Sequence, residues 1–444
     1  MKLIFPADRY EEMAALLLEK QKETCAILLA SPPSKYGTLQ RILVREIHYV
    51  PDNAYSLRST IKATIDPEFL ISFIARIREE KLCIVFVHTH PSCEGTPAFS
   101  DTDDLGEIPL ATLLENQAPG LPHAALVIGP NGCAARKLGT SQPLDVIEVG
   151  QNIRYKSHEA NHNKDDRWDR QIRAFGQEGQ SHLQEARVGI VGLGGTGSVV
   201  AQQLTYLGVS NFILIDPESI EATNLNRLVG STVTDVGRPK VDIVARAIKK
   251  INQYAKIQTF IADISDVATA HHITDLDVIF SCTDSHASRA MLNQIAYQYY
   301  IPLFDMGVSI GVKDHVISHI AGRVQMAAPG LACLICANVI DANAVRSELM
   351  TPEQRAADPY IVGHHEPQPA VISLNSTVTS LAVTMFMAAF TAVPASARFQ
   401  LYNGISGTVK PVSVRQDPTC IVCSQSGALG LADMWPLPGR STIA

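Results

Sequence analysis

The segment CIVFVHTHP ends an apolar run with two histidines that are separated by one residue. Because side chains alternate along a strand, His88 and His90 lie on the same face and can bind one metal ion. Asp103 is the natural third ligand of a catalytic zinc, which leaves a fourth position for water. Ser100, three residues earlier, is placed to stabilise the oxyanion formed when that water attacks a carbonyl. The pattern predicts metal-assisted hydrolysis, although two histidines at this spacing also occur at ordinary strand ends.

The sequence HTHP followed by SDTD resembles the motif of the JAMM (JAB/MPN) metallopeptidases. This resemblance implies cleavage of peptide or isopeptide bonds after the C-terminus of ubiquitin-like proteins. It also implies an upstream glutamate that deprotonates the zinc-bound water. Glu23 in KETCAILLAS matches that position, and Glu46, in the middle of a later strand, is the second candidate for the base.

The third ligand is less sharply defined than the histidines, because the interval from His90 to Ser100 is longer than is usual in that family. Two neighbouring carboxylates, Asp101 and Asp104, therefore stay open as alternatives. The Ser-x-x-Asp register favours Asp103, and additional loop residues cost little closure entropy.

Length and composition limit what such a site can belong to. The chain has 444 residues, which suggests two or three domains. The net charge of −7 and the lack of a basic block argue against nucleic acid and membrane surfaces as partners. No secretory signal is visible at the start, and the apolar stretch 370–393 contains enough Ser, Thr and Asn to predict a buried helix. Nine cysteines then favour metal binding or catalysis over disulfides, and we expect a cytoplasmic protein.

The elements that position these residues fall into two halves, and the predicted fold class is α/β. Residues 1–150 read as a JAB/MPN mixed α/β domain, with helices at 7–20 and 67–79 and strands at 24–30, 39–50, 82–88 and 124–129. Residues 151–166 have almost no large apolar side chains and read as a linker. Residues 167–444 begin with alternating strands and helices, which predicts a Rossmann-like domain with a mainly parallel sheet.

In RVGIVGLGGTGSVVAQQL an apolar strand leads through glycines into a helix. Glycines at this place let phosphates approach backbone N–H groups at a helix N-terminus. The residues concerned are Gly192, Gly194, Gly195 and Gly197. By itself such a loop could equally hold NAD. Asp216, at the end of the next strand, can accept ribose hydroxyls.

Polar residues after this loop distinguish ATP chemistry from hydride transfer. Arg and Lys neutralise triphosphate charge, and Asp holds magnesium, whereas a dehydrogenase needs no such set. The candidates along the chain are Arg170, Gln171, Asn224, Asn226, Arg227, Lys240 and Asp284.

The motifs GxGGxG, D-x7-N-x-N-R, G-x-x-K, C-T-D and R-x-x-R-Q together resemble the ThiF/MoeB and ubiquitin-activating superfamily over roughly residues 165–425. The resemblance implies a ThiF adenylation domain that uses ATP and Mg²⁺ to adenylate the C-terminal carboxylate of a ubiquitin-like protein. It implies a homodimer in which Arg170 acts on the partner's ATP. By this resemblance, the glycines would approach the nucleotide and Asp216 would bind its ribose. Its phosphates would be contacted by Asn224, Arg227 and Lys240, and Asp284 would bind the Mg²⁺. A nucleotide-binding fold without chemistry is the alternative.

The cysteines include two CxxC pairs, Cys333 with Cys336 and Cys420 with Cys423, which predict a structural Zn²⁺ site of four thiolates. Two independent redox pairs are the alternative. Activating enzymes that form a thioester use a cysteine in the crossover segment, here about 341–369, and this segment has none. Cys282 reads as a packed thiol, and Cys93 could act in trans.

Taken together, these features predict a bifunctional enzyme with one catalytic and one structural Zn²⁺. It would activate the C-terminus of a ubiquitin-like protein and also cleave bonds after such a C-terminus. The resemblance implies a bacterial conjugation pathway, in antiphage defence, with a conjugating enzyme as a further partner. A sulfur-carrier activator for cofactor or metabolite biosynthesis and a non-catalytic scaffold are the alternatives.

Overall fold

The computed structural model describes residues 1–157, 165–350, 354 and 369–440. The described chain divides into two compact units, one formed by residues 1–157 with 430–435 and the other by the rest. Two details differ from the boundaries that the sequence suggests. A strand at Ile153–Ser157 extends the first unit into the expected linker, and residues 430–435 join the first unit although they lie far along the chain.

The first unit is a curved sheet with helices on both faces. Its strands are β1 (Lys2–Pro6), β2 (Cys25–Ser31), β3 (Arg41–Tyr49), β4 (Tyr55–Arg58), β5 (Ala63–Ile65), β6 (Cys83–Thr89), β7 (Ala124–Gly129), β8 (Gly132–Lys137), β9 (Pro143–Val149) and β10 (Ile153–Ser157). Its helices are α1 (Arg9–Leu18), α2 (Pro67–Glu80) and α3 (Asp101–Gln117). The strand order is β1-β3-β2-β6-β7-β8-β9-β10, and β9 also pairs with β1, so the sheet closes into a barrel.

The alternation of side chains along β2 explains the two layers. Ala26, Leu28 and Ala30 pack with α1, whereas Ile27 and Leu29 pack with α2 and α3. Since every residue of β2 is buried, this strand is the centre of both cores.

Helix α3 does not follow from the sequence pattern, although it supplies the predicted third metal ligand. Gly106 and Pro109 lie within it, and both residue types are unfavourable inside helices. The helix is begun by a capping box in which the side chains of Ser100 and Asp103 bond to each other's backbone N–H groups. The Ser-x-x-Asp spacing is therefore also a helix start signal.

The second unit confirms the α/β class. Its helices are α4 (Asp169–Glu185), α5 (Gly195–Tyr206), α6 (Lys240–Ile251), α7 (Val267–Ala270), α8 (His286–Gln298), α9 (Ala342–Leu349) and α10 (Ile372–Phe390). Its strands are β11 (Arg187–Val191), β12 (Asn211–Ile215), β13 (Lys256–Phe260), β14 (Val278–Ser281), β15 (Leu303–Lys313), β16 (Val316–Ala327), β17 (Phe399–Asn403) and β18 (Thr408–Pro411). Strands β13-β12-β11-β14-β15 are parallel, and β16, β17 and β18 continue the sheet antiparallel.

Helix α10 is long and apolar enough to cross a membrane by length and composition alone. Its side chains Val378, Ala382 and Phe386 are fully buried. The Phe386 ring packs edge-on against Phe280 and Phe304 of the sheet. The helix is therefore part of the core of the second unit, as the interrupted apolar pattern predicts.

Candidate functional site

The predicted metal ligands of the first unit lie together. His88 and His90 stand at the end of β6, and Asp103 lies in the first turn of α3. The Nε2 atom of His88 is 3.3 Å from Oδ1 of Asp103, and Nε2 of His90 is 3.7 Å from Oδ2. One donor atom from each of the three residues lies within 4.8 Å of the others. Within the described part of the chain, the buried His88 Nε2 has no hydrogen-bond partner, which fits a position reserved for a metal ion.

Ser100 holds the Asp103 carboxylate. Both its hydroxyl and its backbone N–H donate to Oδ2 of Asp103, each over 2.7 Å. Burial would raise the pKa of Asp103, but the nearby His88 and the hydrogen bonds from Ser100 outweigh it, so the pKa lies well below its usual range. The carboxylate is thus kept ionised, as a metal ligand must be. The role of Ser100 as oxyanion donor stays a prediction, because its hydroxyl hydrogen is directed at Asp103 here.

The neighbouring aspartates point elsewhere. Asp101 is exposed at the first position of α3, and Asp104 forms an ion pair with Arg136 over 2.6 Å. Of the three candidates, the structure therefore brings Asp103 to the histidines.

Glu23, the predicted base, lies directly before β2 and is 6% exposed. Its Oε1 is 3.9 Å from Nε2 of His90. The backbone on either side is held, because its N–H donates to Ser59 and its carbonyl accepts from Nε of Arg58. Burial raises the pKa of Glu23, an effect that the charge of nearby His88 opposes. A partly desolvated carboxylate beside metal ligands has the properties expected of a general base.

Glu46, the second candidate for the base, is engaged in another contact. Both of its oxygens accept from the guanidinium of Arg76, over 2.9 and 2.8 Å, and His48 lies 2.9 Å away. The hydrogen bonds from Arg76 lower the pKa of Glu46 to about 2. A carboxylate held in this way is a poor proton acceptor at neutral pH, so Glu23 is the better candidate.

Arg136 on β8 was not among the residues suggested by the sequence, yet it holds the start of α3. Besides Asp104, its guanidinium contacts Glu107 over 2.9 Å and lies 3.9 Å from the centre of the Phe99 ring. The other oxygen of Glu107 accepts from the backbone of Gly139 over 2.9 Å. These contacts flank Asp103 on both sides. No pattern in AARK signals this role, because the contact depends on β8 and α3 meeting in the fold.

In the second unit, the glycine loop lies between β11 and α5, as predicted. A Cβ at Gly197 would lie 1.9 Å from the carbonyl oxygen of Gly192, and Gly192 itself has a φ of +85°. These two positions therefore require glycine for reasons of backbone geometry. The tight turn leaves the N-terminus of α5 open to an anion.

Asp216 stabilises this loop. Its Oδ2 accepts from the backbone N–H of Leu193 over 2.6 Å, and its Oδ1 from that of Glu218 over 2.8 Å. Burial raises the pKa of Asp216, and the two backbone donors and Lys240 oppose this rise. The ammonium of Lys240, at the start of α6, forms an ion pair with Glu218. The ribose contact of Asp216 stays a prediction.

The other predicted residues are distributed around the loop. Arg227 donates to the carbonyl of Thr223 over 2.6 Å, and its Cδ lies 3.2 Å from the position of a Cβ on Gly195. Asn224 accepts through Oδ1 from the backbone of Glu221. Gln171 donates to Tyr206. Asp284 follows β14, and Arg170 lies in the first turn of α4. Both side chains are exposed, and neither makes a described contact with the loop.

The four cysteines of the CxxC pairs form one cluster. The Sγ atoms of Cys333 and Cys336, Cys333 and Cys420, and Cys336 and Cys423 are 3.7, 3.7 and 3.6 Å apart. A tetrahedral zinc with Zn–S bonds of about 2.3 Å requires sulfurs about 3.8 Å apart. Backbone N–H groups of Cys336 and Asp417 donate to these sulfurs, which favours thiolates. The donor set fits a structural zinc better than two separate redox pairs.

The sequence profile of the ThiF family matches residues 168–422. This chain belongs to the ThiF family. The match confirms the resemblance that was placed at roughly residues 165–425, and it covers the glycine loop, Asp216, Lys240 and Asp284.

Known members of the ThiF family align with much of the chain. The molybdopterin-synthase adenylyltransferase of Escherichia coli is 28% identical over 264 residues, which is 58% of this chain and 96% of that protein. The SAMP-activating enzyme E1 of Haloferax volcanii is 25% identical over 61% of this chain and 92% of its own length. The ubiquitin-like modifier-activating enzyme 5 of Drosophila willistoni is 34% identical over 35% of this chain and 39% of its own length.

Replacing Arg136 with alanine is expected to destabilise the first unit. Glu107, which is 7% exposed, would lose its charge partner, and breaking a buried pair costs about 3 kcal/mol or more. Lys20→Ala is the control, because its pair with Asp52 is exposed to solvent and such pairs contribute little to stability. Urea unfolding, followed by amide hydrogen exchange in the first unit, measures the loss of stability in both variants. Equal losses for the two variants would show that Arg136 does not hold α3.

Gly197→Ala is expected to weaken ATP binding by about 100-fold, roughly 2.7 kcal/mol, because the added methyl group forces the Gly192 carbonyl out of the turn. Gly106→Ala, outside the glycine loop, provides the comparison, since a Cβ there also meets nothing within 4 Å. Calorimetric titration of each folded variant with ATP and Mg²⁺ measures the difference. Similar affinities would mean that this turn does not form the ATP site.

Proposed function

We propose that this chain adenylates the C-terminal carboxylate of a ubiquitin-like or sulfur-carrier protein. The observation that supports this most directly is the glycine loop at the N-terminus of α5, with Arg227 beside it, in a chain of the ThiF family. The relatives from Escherichia coli and Haloferax volcanii are named as an adenylyltransferase and an activating enzyme E1, which fits this reaction.

In the reaction, a carboxylate oxygen of the carrier attacks the α-phosphorus of ATP. An oxygen–phosphorus bond forms, the bond to the β-phosphate breaks, and pyrophosphate leaves. The N–H groups of α5 and the cations Arg227 and Lys240 stabilise the phosphate charge. The Lys240 side chain is 8% exposed and its partner Glu218 is 68% exposed, so the phosphate chain of ATP would replace an exposed carboxylate as the partner of a buried ammonium. Mg²⁺, held by Asp284, would neutralise the departing pyrophosphate.

The product we propose is the acyl-adenylate, which then passes to an external nucleophile. The crossover segment 341–369 contains no cysteine, and most of its central part lies outside the described residues. Desolvation raises the pKa of Cys282, which makes this thiol a poor acceptor. Transfer to a sulfur donor or to a conjugating enzyme both fit this chemistry. A cytoplasmic homodimer, with Arg170 reaching the partner's ATP, completes this proposal.

For the first unit we propose a zinc peptidase that cleaves after the C-terminus of the same kind of carrier. This proposal rests on the cluster of His88, His90 and Asp103, with the Glu23 carboxylate 3.9 Å from His90. Bound zinc would polarise the scissile carbonyl and acidify water. Glu23 would take a proton from the attacking water and pass it to the leaving amine, with Ser100 near the oxyanion. Trimming a precursor in this way exposes the carboxylate that the other unit activates, as a bacterial conjugation or antiphage pathway requires.

Asp284→Ala is expected to lower carrier-dependent exchange of pyrophosphate into ATP by about 100-fold or more, since the charge stabilisation from a bound metal is worth several kcal/mol. The assay uses a panel of ubiquitin-like and sulfur-carrier proteins with labelled pyrophosphate. Asp242→Ala, another exposed aspartate of this unit, should keep full exchange. Exchange that survives Asp284→Ala contradicts the assignment of the magnesium ligand.

Glu23→Gln is expected to lower cleavage of a carrier with a C-terminal peptide extension by about 100-fold or more, the usual contribution of a general base. Zinc content should be retained in Glu23→Gln and reduced in His88→Ala, while Glu46→Gln should keep both zinc and cleavage. Mass spectrometry of the carrier and metal analysis provide the readouts. Unchanged cleavage in Glu23→Gln and His88→Ala would refute the peptidase proposal and leave the adenylation proposal intact.

A further inference from the structure

Asn375, in the first turn of α10, lies directly against the glycine loop although it belongs to none of the motifs of the sequence. Its amide nitrogen is 2.1 Å from the position that a Cβ would take on Gly195. The Cδ atom of Arg227 is 3.2 Å from the same point. Gly195 is the first residue of α5. The Asn375 amide therefore lies at the N-terminus of this helix, next to a predicted phosphate ligand.

The packing of α10 along α5 determines this position. One turn after Asn375, the fully buried Thr379 donates its hydroxyl to the carbonyl of Thr196 over 3.4 Å. Ser380 accepts from the side-chain amide of Gln203 over 2.9 Å. Two contacts at successive positions set the register of the helices, so Asn375 is directed at the start of α5 by its place on α10.

The Asn375 side chain is buried but unpaired. The residue is 6% exposed, and its amide has no hydrogen bond with any other residue that the structure describes. An amide NH₂ that makes no hydrogen bond within the described protein and lies at a helix N-terminus is available to donate to a bound acceptor.

We propose that the Asn375 amide donates a hydrogen bond to the phosphate chain of ATP bound at the N-terminus of α5. Phosphate oxygens are acceptors, the amide NH₂ is a donor, and the helix terminus favours an anion at this place. The inference rests on the proposed adenylation function, for which it adds a nucleotide-binding residue from the helix that follows the crossover segment. The proposal also explains why residue 195 is a glycine, since any side chain there would displace the Asn375 amide.

The test is equilibrium binding of ATP to the full chain, with Mg²⁺ and without a carrier. Asn375→Ala should raise the ATP Kd about 10-fold, because hydrogen bonds to charged groups are worth about 1.5–3 kcal/mol. Asn375→Asp, which keeps the size and adds a negative charge, should raise it further. Binding of adenosine should change less than binding of ATP in both variants. Ser373→Ala, an exposed position on the same helix, should bind ATP like the unaltered chain.

Equal ATP affinity of the unaltered chain, Asn375→Ala and Asn375→Asp would overturn the proposal. So would an equal loss for ATP and adenosine, which would indicate that Asn375 only supports the shape of the pocket. Amide exchange of α5 and α10 in each variant identifies the folded fraction, to which the Kd values refer. ATP binding that depends on Asn375, in a chain that exchanges no pyrophosphate with any carrier, would support this inference while refuting the proposed function.

Discussion

A single buried carboxylate holds the backbone on which the nucleotide site depends. Asp216 accepts from the N–H of Leu193 in the glycine loop and from that of Glu218 after β12. Both bonds are made away from water, where hydrogen bonds are strong. Because the loop is held at Leu193, Gly192 and Gly197 can approach each other as closely as they do. The open N-terminus of α5 follows from this arrangement.

In the first unit, a carboxylate beside His88 and His90 is also held by hydrogen bonds from its surroundings. Asp103 is ionised and positioned because Ser100 caps α3, and α3 in turn is attached to β8 through Arg136, Glu107 and Asp104. The histidines need no comparable support, since β6 is paired on both sides, with β2 and β7. The cluster thus combines two ligands from a rigid strand with one from a helix whose start must be held by side chains.

Charged groups in both units differ in how strongly their present ion-pair partners hold them. Glu46 is bound through both oxygens by Arg76 and is removed from catalysis by that pairing. Lys240 pairs with an exposed glutamate and stays available to a stronger anion. A buried polar side chain without a full set of hydrogen-bond partners costs stability. Glu23 and Asn375 are buried polar side chains of this kind, and both lie next to sites where a ligand is expected.

The sequence by itself predicted the α/β class and helices α1, α2, α5, α6 and α10. It also predicted strands β2, β3, β6, β7 and β11 to β14, but not the other strands of the first unit. These features depend on local patterns, such as the alternation in β2 and the glycines after β11. It missed α3, because Gly106 and Pro109 hide the helical pattern, and it missed strands β15 to β18, which run antiparallel after a parallel sheet. Only the tertiary structure shows that Asp103, rather than Asp101 or Asp104, lies beside the histidines. It also shows that Glu23 lies 3.9 Å from His90, whereas Glu46 is paired with Arg76. It alone brought Arg136 to α3 and Asn375 to Gly195, because such contacts join residues far apart in the chain and depend on which elements pack together.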